Sequence, residues 1–259
     1  MTVLLAAVVA RLRAAGCVFA EDEAAILLET AGEDGAVLES LVAQRAAGAP
    51  LEPLVGWVRF GSLRLSVGPG VFVPRQRSLQ LARAAVHVAR EQSRPVMLEP
   101  FCGVAPIAAS VGAAVPGAEV HAADIDSTAL DHARRNLPTG AGVHQSAGLA
   151  GVPQELHGRL TLVASVPPYV PTTATPFIPR EALEHEPEAA LFAGADGLDH
   201  VRSLVDDLVG WLEPNGVALI ELNRQQYRAA AAHARRVGWI ASPRRGRDGQ
   251  TALLELRSP

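Results

Sequence analysis

Glu99, Gly103 and Asp124 are the first residues of this chain whose types and spacing suggest chemistry. The first two lie in Val96-Met97-Leu98-Glu99-Pro100-Phe101-Cys102-Gly103-Val104-Ala105-Pro106-Ile107. There a short apolar run ends in an acid, small residues turn the chain, and an Ala/Val-rich run follows. Strand, tight turn and helix in that order open a nucleotide-binding βαβ unit. The next apolar run, Glu119-Val120-His121-Ala122-Ala123, ends at Asp124. That is about 20 residues past the turn, where dinucleotide folds hold a ribose hydroxyl pair with an acid. Only Gly103 remains where a full loop carries two or three glycines, so retention of a cofactor is the question the stretch raises.

Pro167-Pro168-Tyr169 forms a second landmark, after the apolar run Leu160-Thr161-Leu162-Val163-Ala164. Open parallel sheets bind ligands beyond the carboxyl ends of their strands. A rigid Pro-Pro segment there fixes backbone carbonyls as hydrogen-bond acceptors, and the Tyr ring offers a flat wall. Pro-Pro also simply stops a strand, and local sequence does not separate the two.

The elements that must position these residues follow from periodicity. Residues 1–50 read as helices, with Ala14, Val18, Ala24, Leu27, Leu28, Val37, Leu38, Leu41 and Val42 at helical spacing. Gly32 and Gly35 bracket a turn, and Gly48-Ala49-Pro50 ends the last helix. Trp57–Phe60 and Leu63–Val67 alternate around Gly61-Ser62, as a β-hairpin does. Helices are expected at 80–90, 108–114, 127–136 with Ser127 as N-cap, 201–212 and 225–237. Strands are expected at 217–222 and 251–256. The Pro- and acid-rich stretch 170–200 is longer than an ordinary connection. Alternating strands and helices predict a mostly parallel sheet with helices on both faces.

Composition narrows the function classes. A chain of 259 residues, 49% hydrophobic and 19% charged, has room for a full core. No apolar run reaches the ~18 residues of a membrane span, and the apolar start lacks the basic lead-in of a signal peptide. Cys17 and Cys102 suggest neither a disulfide framework nor a metal site, and a cytoplasmic location is the expectation. His121 and His132 lack ligand-like partners, so no metal is expected. A net charge of -4 argues against a nucleic-acid surface over the whole protein. Arg244-Arg245-Gly246-Arg247, the one basic cluster, reads as a solvated loop before the last strand.

Taken together, these motifs resemble the protein-(glutamine-N5) methyltransferase family of the HemK/PrmC type, in a divergent, actinobacterial-like branch. The resemblance is carried by Leu12-Arg13-Ala14-Ala15-Gly16, Arg45-Ala46-Ala47-Gly48-Ala49-Pro50-Leu51 and Gly68-Pro69-Gly70-Val71-Phe72-Val73-Pro74-Arg75. Further along, Ala164-Ser165-Val166-Pro167-Pro168-Tyr169-Val170 falls on the family's Asn-Pro-Pro-Tyr signature. Glu186-Pro187 and Gly194-Ala195-Asp196-Gly197-Leu198-Asp199 fall on its downstream loop, and Glu186 and Asp196 are candidates for the site's mouth. The order and spacing of the set, more than any one motif, are specific.

The resemblance implies an α/β fold: a Rossmann-like class I S-adenosylmethionine-dependent methyltransferase domain at 76–259. A small N-terminal helical domain of the substrate-binding type would occupy 1–52, and a hairpin linker 53–75. It implies S-adenosylmethionine as cofactor and a protein substrate such as a release factor. Glu99, Phe101, Cys102, Gly103, Ala105, Asp124, Ile125 and Ala147 would meet the cofactor. Val166, Pro167, Pro168 and Tyr169 would meet the acceptor. In the family, the signature Asn and a proline carbonyl aim the glutamine amide at the sulfonium methyl, so catalysis is mostly orientation.

Departures from the pattern cluster at that site. Val166 stands where the family has Asn, and Ser165 points to the other side of an extended chain. Phe101 replaces the first loop glycine, Ala147 an acid beside the adenine, and Thr161 an acid near the signature strand. Two readings compete: an active methyltransferase, on glutamine or another acceptor, and a homologue that kept the fold as a binding or regulatory protein. A DNA amino-methyltransferase shares the Pro-Pro-Tyr logic but needs a phosphate-binding surface that this sequence lacks.

Overall fold

The computed structural model describes residues 2–177, 180–245 and 248–258. Two compact units are present, Met1–Val58 with Val67–Pro69, and Arg59–Ser66 with Gly70–Pro259. The division runs through a two-stranded sheet of β1 (Trp57–Phe60) and β2 (Leu63–Ser66), inside the 53–75 segment read above as the linker.

The first unit is helical: α1 (Thr2–Ala14), α2 (Ala20–Ala31), α3 (Gly35–Ala46) and the short α4 (Leu51–Val55). Val8, Leu12, Ala20, Ala24, Leu27, Leu38, Leu41 and Val42 form its core, the spacing that the apolar period demands. Asp34 caps α3 by accepting the N–H groups of Ala36 and Val37. Arg45 reaches back from α3 to Glu23 of α2 at 2.7 Å and donates to the Ala49 carbonyl, so two largely buried charges are paired.

The second unit carries a seven-stranded sheet in the order β5-β4-β3-β6-β7-β9-β8. Its strands are β3 (Val96–Pro100), β4 (Glu119–Asp124), β5 (Gly142–Gln145), β6 (Leu160–Ser165), β7 (Leu212–Asn223), β8 (Ile240–Arg245) and β9 (Thr251–Arg257). Neighbours from β5 to β7 are parallel, and β9 runs antiparallel to both β7 and β8. The helices are α5 (Leu79–Glu91), α6 (Pro106–Ala114), α7 (Ser127–Asn136), α8 (Arg180–His185), α9 (Asp199–Asp207) and α10 (Tyr227–Val237). Val163, Ala218, Ile220 and Leu222 share a core with α9 and α10 on one face. The alternate residues of the same strands turn to the other face, where α5 packs on β6 and β7.

The mostly parallel sheet agrees with the sequence reading, which did not expect β5 or β8 and differs locally elsewhere. Asp126, not Ser127, caps α7, because its carboxylate accepts the Thr128 N–H. Helix α9 stops at Asp207, and Pro214-Asn215-Gly216 is a bulge inside β7 instead of a turn before it. Leu212 still pairs with Leu160, while Val217 pairs with Leu162. Arg244 belongs to edge strand β8, not to a loop, and its pairing with Glu255 is the reason. Residues 246 and 247 of that basic cluster lie outside the described residues.

The order of strands reverses between β3 and β6. Chain that leaves β3 passes to β4 and β5 on one side, then returns to β6 and β7 on the other. That reversal is a topological switch point, and open α/β sheets take ligands there, beyond the carboxyl ends of the strands on either side, here β3 and β6.

Candidate functional site

The loop after β3 has a backbone that its side chains do not favour. Phe101, Gly103 and Ala105 all have positive φ, at 55°, 52° and 61°. Left-handed backbone suits glycine and costs other L-residues about 1–2 kcal/mol each. The three positions are those of the Gly-x-Gly-x-Gly pattern, so the glycine backbone persists where the glycines themselves are gone. A Cβ added at Gly103 would meet nothing within 4 Å, so the loop leaves open space over that residue.

Two carboxylates hold the strained loop. Ala105, at the start of α6, has no side-chain acceptor, and Pro106 has no N–H to satisfy. Glu99 supplies the missing cap from the end of β3: its oxygens accept from Ile107 N at 3.3 Å and Ala108 N at 2.6 Å. Its carboxyl is buried, and burial pushes its pKa up to about 8. Asp124, at the end of β4, accepts from Gly103 N at 2.7 Å and Asp126 N at 3.0 Å. Burial raises its pKa too, with those N–H groups opposing. Cys102 is a packing residue, its thiol buried and pushed well up by burial. The Cys102 N–H donates to Ala123, which ties the loop to β4.

Beyond β5 the chain turns around Ser146, whose N–H donates to the Asp124 carbonyl and whose Oγ accepts from Gly151 N. Ala147 is exposed and brings no polar side chain. The Phe101 ring lies toward this turn, 4.0 Å from where a Cβ of Gly148 would be, and tilts against His200 at 5.4 Å. Ile125 is 63% exposed beside Asp124, an uncovered apolar side chain at the rim.

The β6 exit is pinned from several sides. Ser165 is fully buried and donates to the Pro100 carbonyl at 2.7 Å, so it joins β6 to β3 and faces away from any acceptor. Thr161 both donates to and accepts from the Val96 backbone, closing the ladder where β3 and β6 begin to pair. Val166 is half-buried, Pro167 is buried, and Pro168 and Tyr169 are half-buried. Gln226 donates to the Tyr169 and Asp196 carbonyls. A Cβ at Gly197 would come within 2.3 Å of the Tyr169 carbonyl, so a side chain there would force Tyr169 out of place.

The residues read from the sequence as meeting the cofactor or the acceptor therefore stand at the carboxyl ends of β5, β4, β3 and β6. Glu186 instead pairs with Arg75 and Asp196 with Arg202, which places both in the loop's own scaffold. His132 bonds the Ser66 hydroxyl, and His121 lies between His144 and Glu119. Among the described residues, no three His, Cys, Asp or Glu side chains group to hold a metal, and no helix is long and apolar enough to cross a membrane.

Sequence reasoning missed Asn136, Ser78 and Glu221. Asn136 donates to the Val104 and Ser66 carbonyls and accepts from Ser66 N, so it fixes the loop to β2. Glu221 is fully buried near the end of β7; Ser78 Oγ donates to its Oε1 at 2.9 Å. Burial raises its pKa to about 7. An acid inside the apolar run Val217–Leu222 was the signal available in the sequence.

Comparison with known proteins bears on this site. No family model matches the chain. It is 35% identical to a release factor glutamine methyltransferase of Streptomyces coelicolor over 209 residues, 80% of this chain and 72% of that protein. It is 36% identical to the Deinococcus radiodurans release factor glutamine methyltransferase over 223 residues, 83% of this chain and 77% of that protein. The chain belongs to the release factor glutamine methyltransferase family. The chain is also similar to a Streptomyces pristinaespiralis 4-amino-L-phenylalanine/4-methylamino-L-phenylalanine methyltransferase, 33% identical over 84% of this chain and 76% of that protein. The fold is shared with a ribosomal protein L11 methylase of Lactobacillus delbrueckii (TM-score 0.53, 16% identity, 74% of this chain and 84% of that one). A Pyrococcus furiosus methyltransferase shares it too (TM-score 0.53, 15% identity, 77% and 91%). The second unit thus has the Rossmann-like fold of class I methyltransferases.

Proposed function

We propose that this member of the family is an active methyltransferase that modifies the side-chain amide nitrogen of glutamine in a release factor. The observation that carries the proposal is the survival of the loop backbone. Left-handed turns at 101, 103 and 105 persist against side-chain preference, latched by Asp124 and Glu99. Strain of this kind persists only where the surroundings over-determine it, and it clusters at ligand sites.

The residues present fit S-adenosylmethionine. Open space over Gly103 admits close approach to the backbone. Asp124 keeps acceptor capacity beyond its two N–H bonds, enough for ribose hydroxyls. The exposed Ile125 would cover one side of a flat ring, with Ala147 at its edge and Phe101 filling the space beneath. Glu99 would act indirectly, by holding the start of α6 and with it Cys102, Gly103 and Ala105. When bound, S-adenosylmethionine supplies an electrophilic methyl group on a sulfonium sulfur. Pro167 and Pro168, held by the Ser165 and Gln226 bonds, would fix carbonyl acceptors for the substrate N–H groups, with Tyr169 as the wall. Orientation then does most of the work, because an amide lone pair is delocalised and attacks only when well aimed.

Val166 brings no hydrogen bond to an amide, and one relative acts on an aromatic amine. The deciding experiment titrates S-adenosylmethionine calorimetrically and then offers both acceptors, a release factor and 4-amino-L-phenylalanine. Micromolar binding with methyl transfer to the release factor is the expected result. Transfer to the arylamine alone would move the acceptor class. Absence of binding at millimolar ligand would leave the non-catalytic reading in its place.

A further inference from the structure

We infer that Glu221 takes up the proton released from the acceptor nitrogen during methyl transfer. The inference rests on the amide-methyltransferase reading above. When a primary amide nitrogen is methylated, its lone pair forms the new N–C bond and the C–S pair returns to sulfur. One N–H proton must then leave to give a neutral product.

Three carboxylates stand near the carboxyl ends of the parallel strands: Glu99 on β3, Asp124 on β4 and Glu221 on β7. Glu99 spends both oxygens on the N–H groups of Ile107 and Ala108. Asp124 accepts one N–H on each oxygen, from Gly103 and Asp126, and its remaining lone pairs are those assigned above to the ribose. Glu221 differs. Its Oε1 accepts from Ser78, while Oε2 is buried with no hydrogen-bond partner among the described residues. Leaving such an oxygen unmatched costs about 1–3 kcal/mol, and native proteins do so rarely.

Strand register sets Glu221 next to the end of β6, and its charge acts on Tyr169 of the Pro-Pro-Tyr segment. Ser165 pairs with Ile220, so Glu221 is level with Val166. Ile220 and Leu222 face the α9–α10 core, so Glu221 turns to the opposite face, as Val166 does if the strand's alternation continues one residue further. The charged and titratable groups around it are Arg77 from the turn before α5, Tyr169 from the β6 exit and Asp248 from the turn before β9. Burial raises its pKa to about 7; Ser78 and Arg77 oppose the shift and Asp248 adds to it. A base poised near the working pH suits proton removal. In the free chain Oε2 is covered, and catalytic hydrogen bonds often close only in the complex.

The test compares wild type with Glu221→Gln, which keeps the side chain's shape and an acceptor for Ser78, and with Ser78→Ala. Three readouts are used: calorimetric S-adenosylmethionine affinity, the pH profile of kcat on a release factor, and the carboxyl pKa of Glu221 in the free protein by isotope-edited infrared titration. Glu221→Gln should bind S-adenosylmethionine as wild type does, lose about 100-fold in kcat and lose the rising limb of the profile near neutrality. Ser78→Ala removes a donor to the ionised form, so the limb and the infrared pKa should both move up together. If Glu221→Gln fails to fold, the paired shifts in Ser78→Ala decide. Glu221→Gln at the wild-type rate, or a Glu221 carboxyl that titrates in the ordinary carboxylate range, overturns the inference. A wild type that binds S-adenosylmethionine but leaves the release factor unmodified overturns the acceptor reading and this inference with it.

Discussion

Asp124 Oδ2 accepts the backbone N–H of Gly103 at 2.7 Å, so the acid at the end of β4 sets the shape of the loop at the end of β3. The same side chain would, in the reading proposed above, also meet the ribose of the cofactor. Its replacement should damage stability and ligand binding together.

Asp124→Asn keeps one acceptor oxygen and turns the other into a donor, which faces either the Gly103 or the Asp126 N–H. The expected loss is about 1–3 kcal/mol of stability, because a buried N–H is left unmatched. S-adenosylmethionine affinity should fall more than ~10-fold. Urea unfolding and calorimetry check both, and unchanged affinity would detach Asp124 from the cofactor site.

Ala105→Gly and Phe101→Gly should act in opposite directions although both relieve positive φ. At 105 the gain of about 1–2 kcal/mol from removing the Cβ exceeds glycine's entropic cost of about 0.5–1 kcal/mol. The melting temperature should rise by a few degrees at most. Phe101→Gly also forfeits ring contacts with His200 and the core, so a net loss of about 1–3 kcal/mol is expected. Two variants that both stabilise would show that the ring contributes nothing.

The stability of the free protein should fall as pH rises through neutrality. Glu99 and Glu221 have folded pKa values raised to about 8 and about 7, above the 4.5 of an exposed Glu, and Asp124 is shifted in the same direction. Above about pH 5 the unfolded chain releases protons that the folded chain still holds, so ionisation favours unfolding until the folded groups titrate. Each unit of separation is worth about 1.4 kcal/mol, which makes the loss between pH 5.5 and 8.5 of order several kcal/mol. Glu255 is shifted downward by Arg257 and Arg244, against burial that opposes them, so its contribution is present above its unfolded pKa and lost in acid. Denaturant unfolding at the two pH values measures the slope, and Glu99→Gln should flatten it. Equal stability at both would contradict the burial of protonated carboxyls.

Thr161→Val, nearly isosteric, should cost about 1–3 kcal/mol for each group it strands, because the Val96 N–H and carbonyl both lose their partner. Hydrogen exchange at the start of β3 should speed up first. A neutral substitution would mean that water replaces the hydroxyl there.

The fold and half of the site were legible because local patterns encode them. Glu99 and Asp124 end apolar runs, and Pro167-Pro168 ends a third, so their place at strand ends follows from periodicity. Short β5 escaped notice because Gly142-Val143-His144-Gln145 is half-exposed and polar at the sheet edge. Strand β8 hid behind Pro243, which an edge strand tolerates. The bulge within β7 looked like a helix stop, since Pro-Asn-Gly serves both purposes.

The sequence by itself determined the alternation of strand and helix, the acids at two strand ends, the rigid Pro-Pro-Tyr and the family to which these belong. Only the tertiary structure decided what each acid does. Ser78 and Glu221 meet across 143 residues, and Ser165 and Pro100 across 65. Whether a carboxylate oxygen is spent or spare depends on which donors such long-range packing delivers, and no local pattern carries that information. The same holds for Phe101 and Ala105, whose left-handed backbone is imposed by Asp124, Glu99 and the sheet against the preference of their own side chains.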